Sequence, residues 1–320
     1  MALPNMTFSG VTFSGGYSIT LPPPSYLAYA IFGYGTTGSS TSITNLVSNT
    51  GVVATDTAGV GTVRNYLAAA GYGSDKALFG YGNGSGGPIA ITNKVSNTGV
   101  VAGDTAGVGT GKFALAAAGY GTDKAIFGYG LNASYSVTST TNLVSNTGIV
   151  ANDTAGVGTA RLALAAAGYG TDKAIFGYGN DINTGPVSMT NLVSNTGVVA
   201  TDTAGVGTAR VYLAAAGYGT DKAIFGYGYD NSSIRYSMTN LVSNTGVVAT
   251  DTAGVGTARD SLAAATYGTD KAIFGYGNNA NSAGLQSVTN LVSNTGVVAS
   301  NTTGVGTARQ GLAAASYGSI

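Results

Sequence analysis

Few side chains in this sequence could do chemistry. It has 13 acidic and 13 basic residues and no His, Cys or Trp, and every acid is Asp. General-base His, thiolate nucleophiles and His/Cys zinc sites cannot be built from such a set. What remains is 13 carboxylates, 13 cations and 20 tyrosine rings. These groups can pair, hydrogen-bond and stack on a ligand, which is the chemistry of binding. The expected sets of catalytic residues, metal ligands and cofactors are therefore empty.

Position sorts the charges. Of the 26, 21 recur at equivalent places. They are Asp56, Asp104, Asp153, Asp202 and Asp251, with Asn301 in the sixth place; five Asp-Lys pairs from Asp75/Lys76 to Asp270/Lys271; and Arg64, Lys112, Arg161, Arg210, Arg259 and Arg309. Recurrence implies a structural job, the ordering of Gly-rich segments by ion pairs and bonds to backbone. A catalytic reading would need one copy to differ. Lys94, Asp181, Asp230, Arg235 and Asp260 fall outside the pattern, as do Tyr66, Tyr135, Tyr212, Tyr229 and Tyr236.

Repeats supply the elements that must position these groups. Phe-Gly-Tyr-Gly begins at Phe32, Phe79, Phe127, Phe176, Phe225 and Phe274, in steps of 47, 48, 49, 49 and 49 residues. Thr-Asn-(Leu/Lys)-Val-Ser-Asn-Thr-Gly and Leu-Ala-Ala-Ala also occur six times each. This period suits one propeller blade and is too long for one coil of a β-helix. Each unit reads as four short apolar segments: A (LAAAGY), B (AIFGYG), C (TNLVS) and D (VVAT). A Gly-Thr-Asp-Lys turn parts A from B, a variable loop parts B from C, Asn-Thr-Gly parts C from D, and a Gly-rich crossing leads to the next A. Val, Ile, Phe, Tyr and Thr favour strands, and Asn, Asp and Gly tolerate tight reversals.

The spacing predicts an all-β fold of four-stranded antiparallel blades. The chain enters on a B segment near Ala30 and reaches a sixth A segment at Leu312 to Tyr317. Pairing the two completes six blades by a 3+1 closure, whereas an open solenoid would carry polar caps, and none is visible. The expected organisation is an extended arm over residues 1–26 and a six-bladed propeller over 27–320. Segment A, small at Ala-Ala-Ala, would line the axis. The Phe, Ile and Tyr of segment B would fill the space between blades, and its glycines would allow close approach or positive φ.

The order Arg-x-x-Leu-Ala-Ala-Ala, a Gly-containing turn, Lys-Ala-Ile-Phe-Gly-Tyr-Gly, a variable loop and Thr-Asn-x-Val-Ser-Asn-Thr-Gly resembles a kelch repeat over about residues 27 to 320. Two features depart from the kelch pattern: the Gly pair that usually ends strand B is split as Gly33/Gly35, and Val53 and its copies stand where strand D usually carries Trp. Near-identical copies of this kind also resemble, in style, phage tail-fibre and other virion proteins. That resemblance implies a virion protein that attaches or decorates.

Composition bounds the partners. Charged residues make up 8 % and hydrophobic ones 44 %, with zero net charge. Such a chain buries a core and lacks the basic footprint of a nucleic-acid or membrane-surface binder. No apolar run reaches the ~18 residues of a membrane span, and the N-terminus lacks a basic-then-apolar signal, so synthesis and release in a cytoplasm are expected.

The B-to-C loops differ in length, from 8 to 11 residues, while the frame around them hardly changes. They are rich in Ser, Gly and Asn with scattered Tyr, the composition of adaptable binding loops. Solvated loops also drift toward it. One-sidedness favours binding, because the five irregular tyrosines and every irregular charge except Lys94 lie in these loops or at the start of segment A, on one face. The ligand-binding candidates are Tyr229, Asp230, Arg235, Tyr236, Tyr135, Tyr66 and Tyr212, with residues 229–236 (YDNSSIRY) the best single segment for a sugar or peptide. GYGTDK and GVGTAR lack the Gly-Lys-Ser/Thr ending of a phosphate loop, and Asp181-Ile-Asn-Thr-Gly lacks the closing Glu of a calcium loop.

In the leader, Thr-Phe-Ser-Gly occurs twice and Pro22 to Pro24 form a stiff spacer. Phe8 and Phe13 are partner-docking candidates on an arm that would fix the protein to other virion proteins; the other reading is a tail packed along the propeller. The expected function is a non-enzymatic, tail-fibre-like attachment protein that displays its loop face to a host surface glycan or protein. The alternatives are a virion decoration or filament subunit and a surface lectin, which would place the protein on an extracellular surface instead of a virion.

Overall fold

The computed structural model describes residues 28–280 and 284–318. Phe8, Phe13 and the rest of the expected arm lie outside the described residues. Every regular element among the described residues is a β-strand.

Each unit forms a three-stranded antiparallel sheet in the order A, B, C. In the second unit these strands are Ala68–Tyr72, Lys76–Gly80 and Thr92–Val95. Phe79 stands opposite Ala69 on one side and Asn93 on the other. The B strand is central and its Ala77, Leu78 and Phe79 are fully buried, as is Tyr81 just beyond its end. A strand covered on both faces reads as an unbroken apolar run, and Ala77-Leu78-Phe79 does so after the half-exposed Lys76. Segment A alternates buried and half-buried residues, because only one of its faces meets large side chains.

Phe-Gly-Tyr-Gly divides its two glycines between two tasks. A Cβ on Gly80 would lie 2.6 Å from Cζ of Phe127 in the next unit, so this glycine lets neighbouring sheets approach. Gly82 has φ +106°, a conformation that other residues adopt only with strain. Tyr81, between them, sets its ring edge-on to Phe127 at 5.1 Å.

The expected fourth strand is the point of departure. Segment D makes two bridges to segment C, Val95 to Val101 and Thr92 to Thr105, and no continuous ladder. These bridges are out of register by one residue, so D carries an extra residue, a bulge that interrupts pairing. Asn93 fills the gap with its side chain. Its Nδ2 donates to Ala102 O at 3.0 Å and to Asp104 Oδ1 at 2.9 Å. The same replacement recurs at Asn45, Asn142, Asn191, Asn240 and Asn290.

Ala313–Tyr317 pairs antiparallel with Tyr29–Gly33, Tyr317 opposite Tyr29 and Ala313 opposite Gly33. The two tyrosines stack at 5.7 Å. Thus the first B strand takes its A strand from the far end of the chain, the pairing expected from the repeat.

Three sets of hydrogen bonds join the units. Before each A strand, one residue with φ between 48° and 60° donates its N–H to the equivalent carbonyl of a neighbour: Ala114 to Tyr66, Ala163 to Ala114, Tyr212 to Ala163, Ser261 to Tyr212, Gly311 to Ser261 and Tyr66 to Gly311. At the opposite end of the A strands, Gly73, Gly121, Gly170 and Gly219 donate to Asp123, Asp172, Asp221 and Asp270, Gly268 donates to Ala28, and Gly318 to Asp75. In the third set, the D-segment carboxylate pins the incoming crossing. Asp104 accepts from Thr62 Oγ1 at 2.6 Å, and Asp56 accepts in the same way from Thr307 at 2.5 Å.

The recurrent cations are buried behind these pins. Arg64, Arg161 and Arg259 each donate to a Tyr carbonyl, a Thr carbonyl and an Asn Oδ1. Arg309 makes the first two of these bonds and Arg210 the last. Each guanidinium also lies over a tyrosine ring of the preceding unit, Arg64 over Tyr34 at 4.2 Å. Lys112 occupies the sixth place with less: it reaches Thr140 and Asn142 and comes within 4.0 Å of Asp153.

Candidate functional site

The short stretch before each A strand bridges to the residue after Phe-Gly-Tyr-Gly. The bridged pairs are Gln310–Thr36, Asn65–Asn83, Leu162–Asn180, Val211–Tyr229 and Asp260–Asn278. Where the frame repeats, these positions vary. At one side of the ring of backbone bonds they enclose a cavity of about 340 Å³ lined by Tyr66, Tyr212, Tyr229, Arg235 and Asp260, with Ser233, Ser261, Asn278 and Gln310 completing the wall.

Aromatic rings form one wall. Tyr212 stacks on Tyr229 at 5.9 Å with 19° between planes, and Tyr66 meets Tyr212 edge-on at 5.5 Å. Tyr66 has room because Gly311 lies beside it: a Cβ there would come 3.2 Å from the ring. Burial raises the hydroxyl pKa of all three tyrosines, and the Asp260 charge adds to the effect. They therefore stay neutral hydroxyls at physiological pH.

An ion pair forms the other wall. Arg235 Nε lies 2.5 Å from Asp260 Oδ2, and the guanidinium sits 5.7 Å from the Tyr229 ring centre. The N–H does not aim at the carboxylate, so the contact is one of charge without a formed hydrogen bond, and both atoms are shut off from solvent. Asp260 is 4 % exposed, and its Oδ1 accepts from Ser261 Oγ at 2.7 Å. Desolvation raises its pKa, with the Ser261 bond and the Arg235 charge opposing.

Four of the seven candidates, Tyr66, Tyr212, Tyr229 and Arg235, thus come together in one cavity. Asp230 and Tyr236 shape the loop instead. Asp230 Oδ1 accepts from the N–H of Ser232 and of Ile234, each at 2.9 Å, and its Oδ2 accepts from Tyr236 at 2.9 Å. Tyr135 stands apart, 63 % exposed and edge-on to Phe113. Ser233 lies within the 229–236 segment singled out from the sequence, whereas the lining residues that sequence reasoning did not pick are Asp260, Ser261, Asn278 and Gln310. Asp260 carried a signal, as one of five charges outside the repeat pattern; Asn278 and Gln310 are ordinary polar residues placed by their bridges, and Ser261 by its backbone bond to Tyr212.

A second cavity, of about 540 Å³, opens at the other end of the A strands. Its lining repeats from unit to unit: Tyr72, Tyr120, Tyr169 and Tyr218, with lysines that each pair with the preceding Asp, as Lys173 does with Asp172 at 2.9 Å. Ala28 takes the sixth Asp position there. Among the described residues no cluster of three metal-ligating side chains occurs. Lys94, the irregular charge of segment C, donates to Thr147 O at 3.0 Å and touches neither cavity.

The sequence matches no protein-family model and no curated protein.

Proposed function

We propose that the six sheets form a closed, kelch-like six-bladed β-propeller, and that it serves as a non-enzymatic virion attachment protein holding a host-surface glycan in the irregular cavity. Closure is supported by the pairing of Tyr29–Gly33 with Ala313–Tyr317 and by the two sets of backbone bonds that each return to their first member. The virion setting rests on the style of the near-identical copies. For binding, one observation carries the reading: in a frame of repeated positions, five residues that break the repeat, Tyr66, Tyr212, Tyr229, Arg235 and Asp260, meet around one polar and aromatic cavity. One carboxylate lines that cavity, whereas glycoside hydrolysis ordinarily needs two.

The experiment is a glycan array, with intact candidate host cells in parallel, probed with the protein and with a Tyr229→Ala/Arg235→Ala variant. Specific binding that the variant loses, with its melting temperature within a few degrees of the parent, is the expected result. Equal signals from both proteins would sink the reading.

A structural role, as a virion decoration or filament subunit, has its own supporting observation. Val52, Val100, Ile149, Val198, Val247 and Val297 occupy one equivalent turn position and are 65–66 % exposed. Six equivalent apolar points suit contacts to neighbouring subunits, and concentration-dependent assembly without glycan binding would favour that role.

A further inference from the structure

We infer that the irregular cavity takes an uncharged sugar ring and discriminates against acidic sugars; this rests on the glycan-binding reading above. The two charged side chains in its wall have opposite signs and are already in contact, Arg235 Nε lying 2.5 Å from Asp260 Oδ2. At such a distance, in a site shielded from water, each charge largely cancels the other's field. A ligand carboxylate would therefore gain little from Arg235. It would also face a buried Asp260, while Asp230 on the same loop adds a second negative charge nearby.

Neutral contacts are plentiful. Among the described residues no hydrogen bond engages the terminal nitrogens of Arg235, and its side chain is 23 % exposed although Nε is shut away. Asn278, Gln310 and Ser233 offer amide and hydroxyl groups around them. Tyr212 and Tyr229 stack on each other and Arg235 lies over Tyr229, so the rings stiffen the wall and the contacts left for a ligand are chiefly neutral polar groups. About 340 Å³ lies at the small end of ligand pockets, which suits one terminal ring. Asp260 acts here as a positioning residue: it holds the guanidinium across Tyr229 and masks its charge.

Isothermal titration of the full chain tests this with methyl glycosides of neutral hexoses and N-acetylhexosamines on one side, and glucuronic and sialic acids on the other. At least one neutral sugar is expected to bind about tenfold more tightly than either acid. Its Kd should change less than about twofold when salt is raised to about 0.5 M. In Asp260→Asn the guanidinium charge is unmasked, so the ratio of neutral to acidic affinity should fall by about tenfold even if overall affinity drops. A purely structural role for Asp260 would move both classes equally and leave the ratio unchanged, overturning its assignment. Tighter binding of an acid by the parent, weakened by salt, would overturn the inference and leave glycan binding standing. Absence of binding by every sugar, with array signals indifferent to Arg235→Ala, would remove both.

Discussion

The two cavities at opposite ends of the A strands make an instructive pair. The 540 Å³ cavity repeats its lining around the frame, and its lysines are half-exposed and paired with the adjacent Asp. The 340 Å³ cavity is assembled from departures: Tyr at 66 and 212 where other units carry Ala, Ser or Gly, and Asp260 where they carry Asn, Phe, Leu, Val or Gln. The same six backbone bonds run beneath all of these substitutions. The frame's geometry therefore does not depend on which side chain occupies the variable places, which leaves those places free for recognition.

Substitutions in the frame should accordingly cost stability, and substitutions in the irregular cavity should cost binding. The largest effect is expected from Arg161→Ala. It empties a fully buried cation site, leaving Tyr178 O and Asn191 Oδ1 without their donor and Tyr129 without its stacked cation. A loss of about 3–5 kcal/mol is expected in chemical denaturation. The double change Arg235→Ala/Asp260→Asn, which removes both charges of the cavity pair and so strands neither, should cost about 1 kcal/mol or less by the same measurement. Similar losses in the two variants would erase the distinction between frame and site.

A smaller effect of opposite sign is expected from Lys112→Arg, which restores the guanidinium of the other five units. The gain should be about 1–2 kcal/mol from added bonds to backbone. Burial pushes the Lys112 pKa down to about 8, with the Asp153 charge opposing. A folded-state value below the ordinary 10.5 means that the unfolded chain binds the proton more tightly. The penalty is thus fully present below about pH 8 and is relieved as pH climbs toward 10.5. Parent and Lys112→Arg stabilities should converge over that window, and parallel pH profiles would contradict the assignment.

Much of this frame is legible in the residues, and the exceptions have physical reasons. Phe79-Gly80-Tyr81-Gly82 announces a central strand with a close approach and a positive φ, because only glycine meets both demands at those places. The pairing of Ala313–Tyr317 with Tyr29–Gly33 follows the A-to-B order of the repeat, with Leu-Ala-Ala-Ala at Leu312 matched to Phe-Gly-Tyr-Gly at Phe32. Segment D misleads: Val and Thr have strand propensity, but one extra residue shifts Thr105 against Val101, and Asn93 bonds through its side chain where a ladder was expected. In the cavity, Tyr229 and Arg235 stand out in one loop, whereas Asp260 reaches them through its contact with Arg235 and its bridge to Asn278, contacts between residues whose separation in sequence hides them.

The smallest expected effect is Asp202→Asn. Its carboxylate accepts from Thr159 Oγ1 and Asn191 Nδ2, and although partial burial raises its pKa, these bonds and the Thr159 N–H outweigh it and hold the value below the ordinary range. The stability it contributes is present above about pH 4 and is lost as pH falls through the lowered folded-state value. Asn301 holds Thr257 at the equivalent place, so the substitution should cost less than about 1 kcal/mol at neutral pH and flatten the acid limb of the stability profile.

The central claim is that recognition belongs to the one irregular cavity and not to the repeated frame. Its most direct test is the stoichiometry of sugar binding, measured by titration on the intact chain. The account predicts one ligand per chain, with the site lost in Arg235→Ala. Several equivalent sites, or a single site that survives Arg235→Ala unchanged, would contradict it.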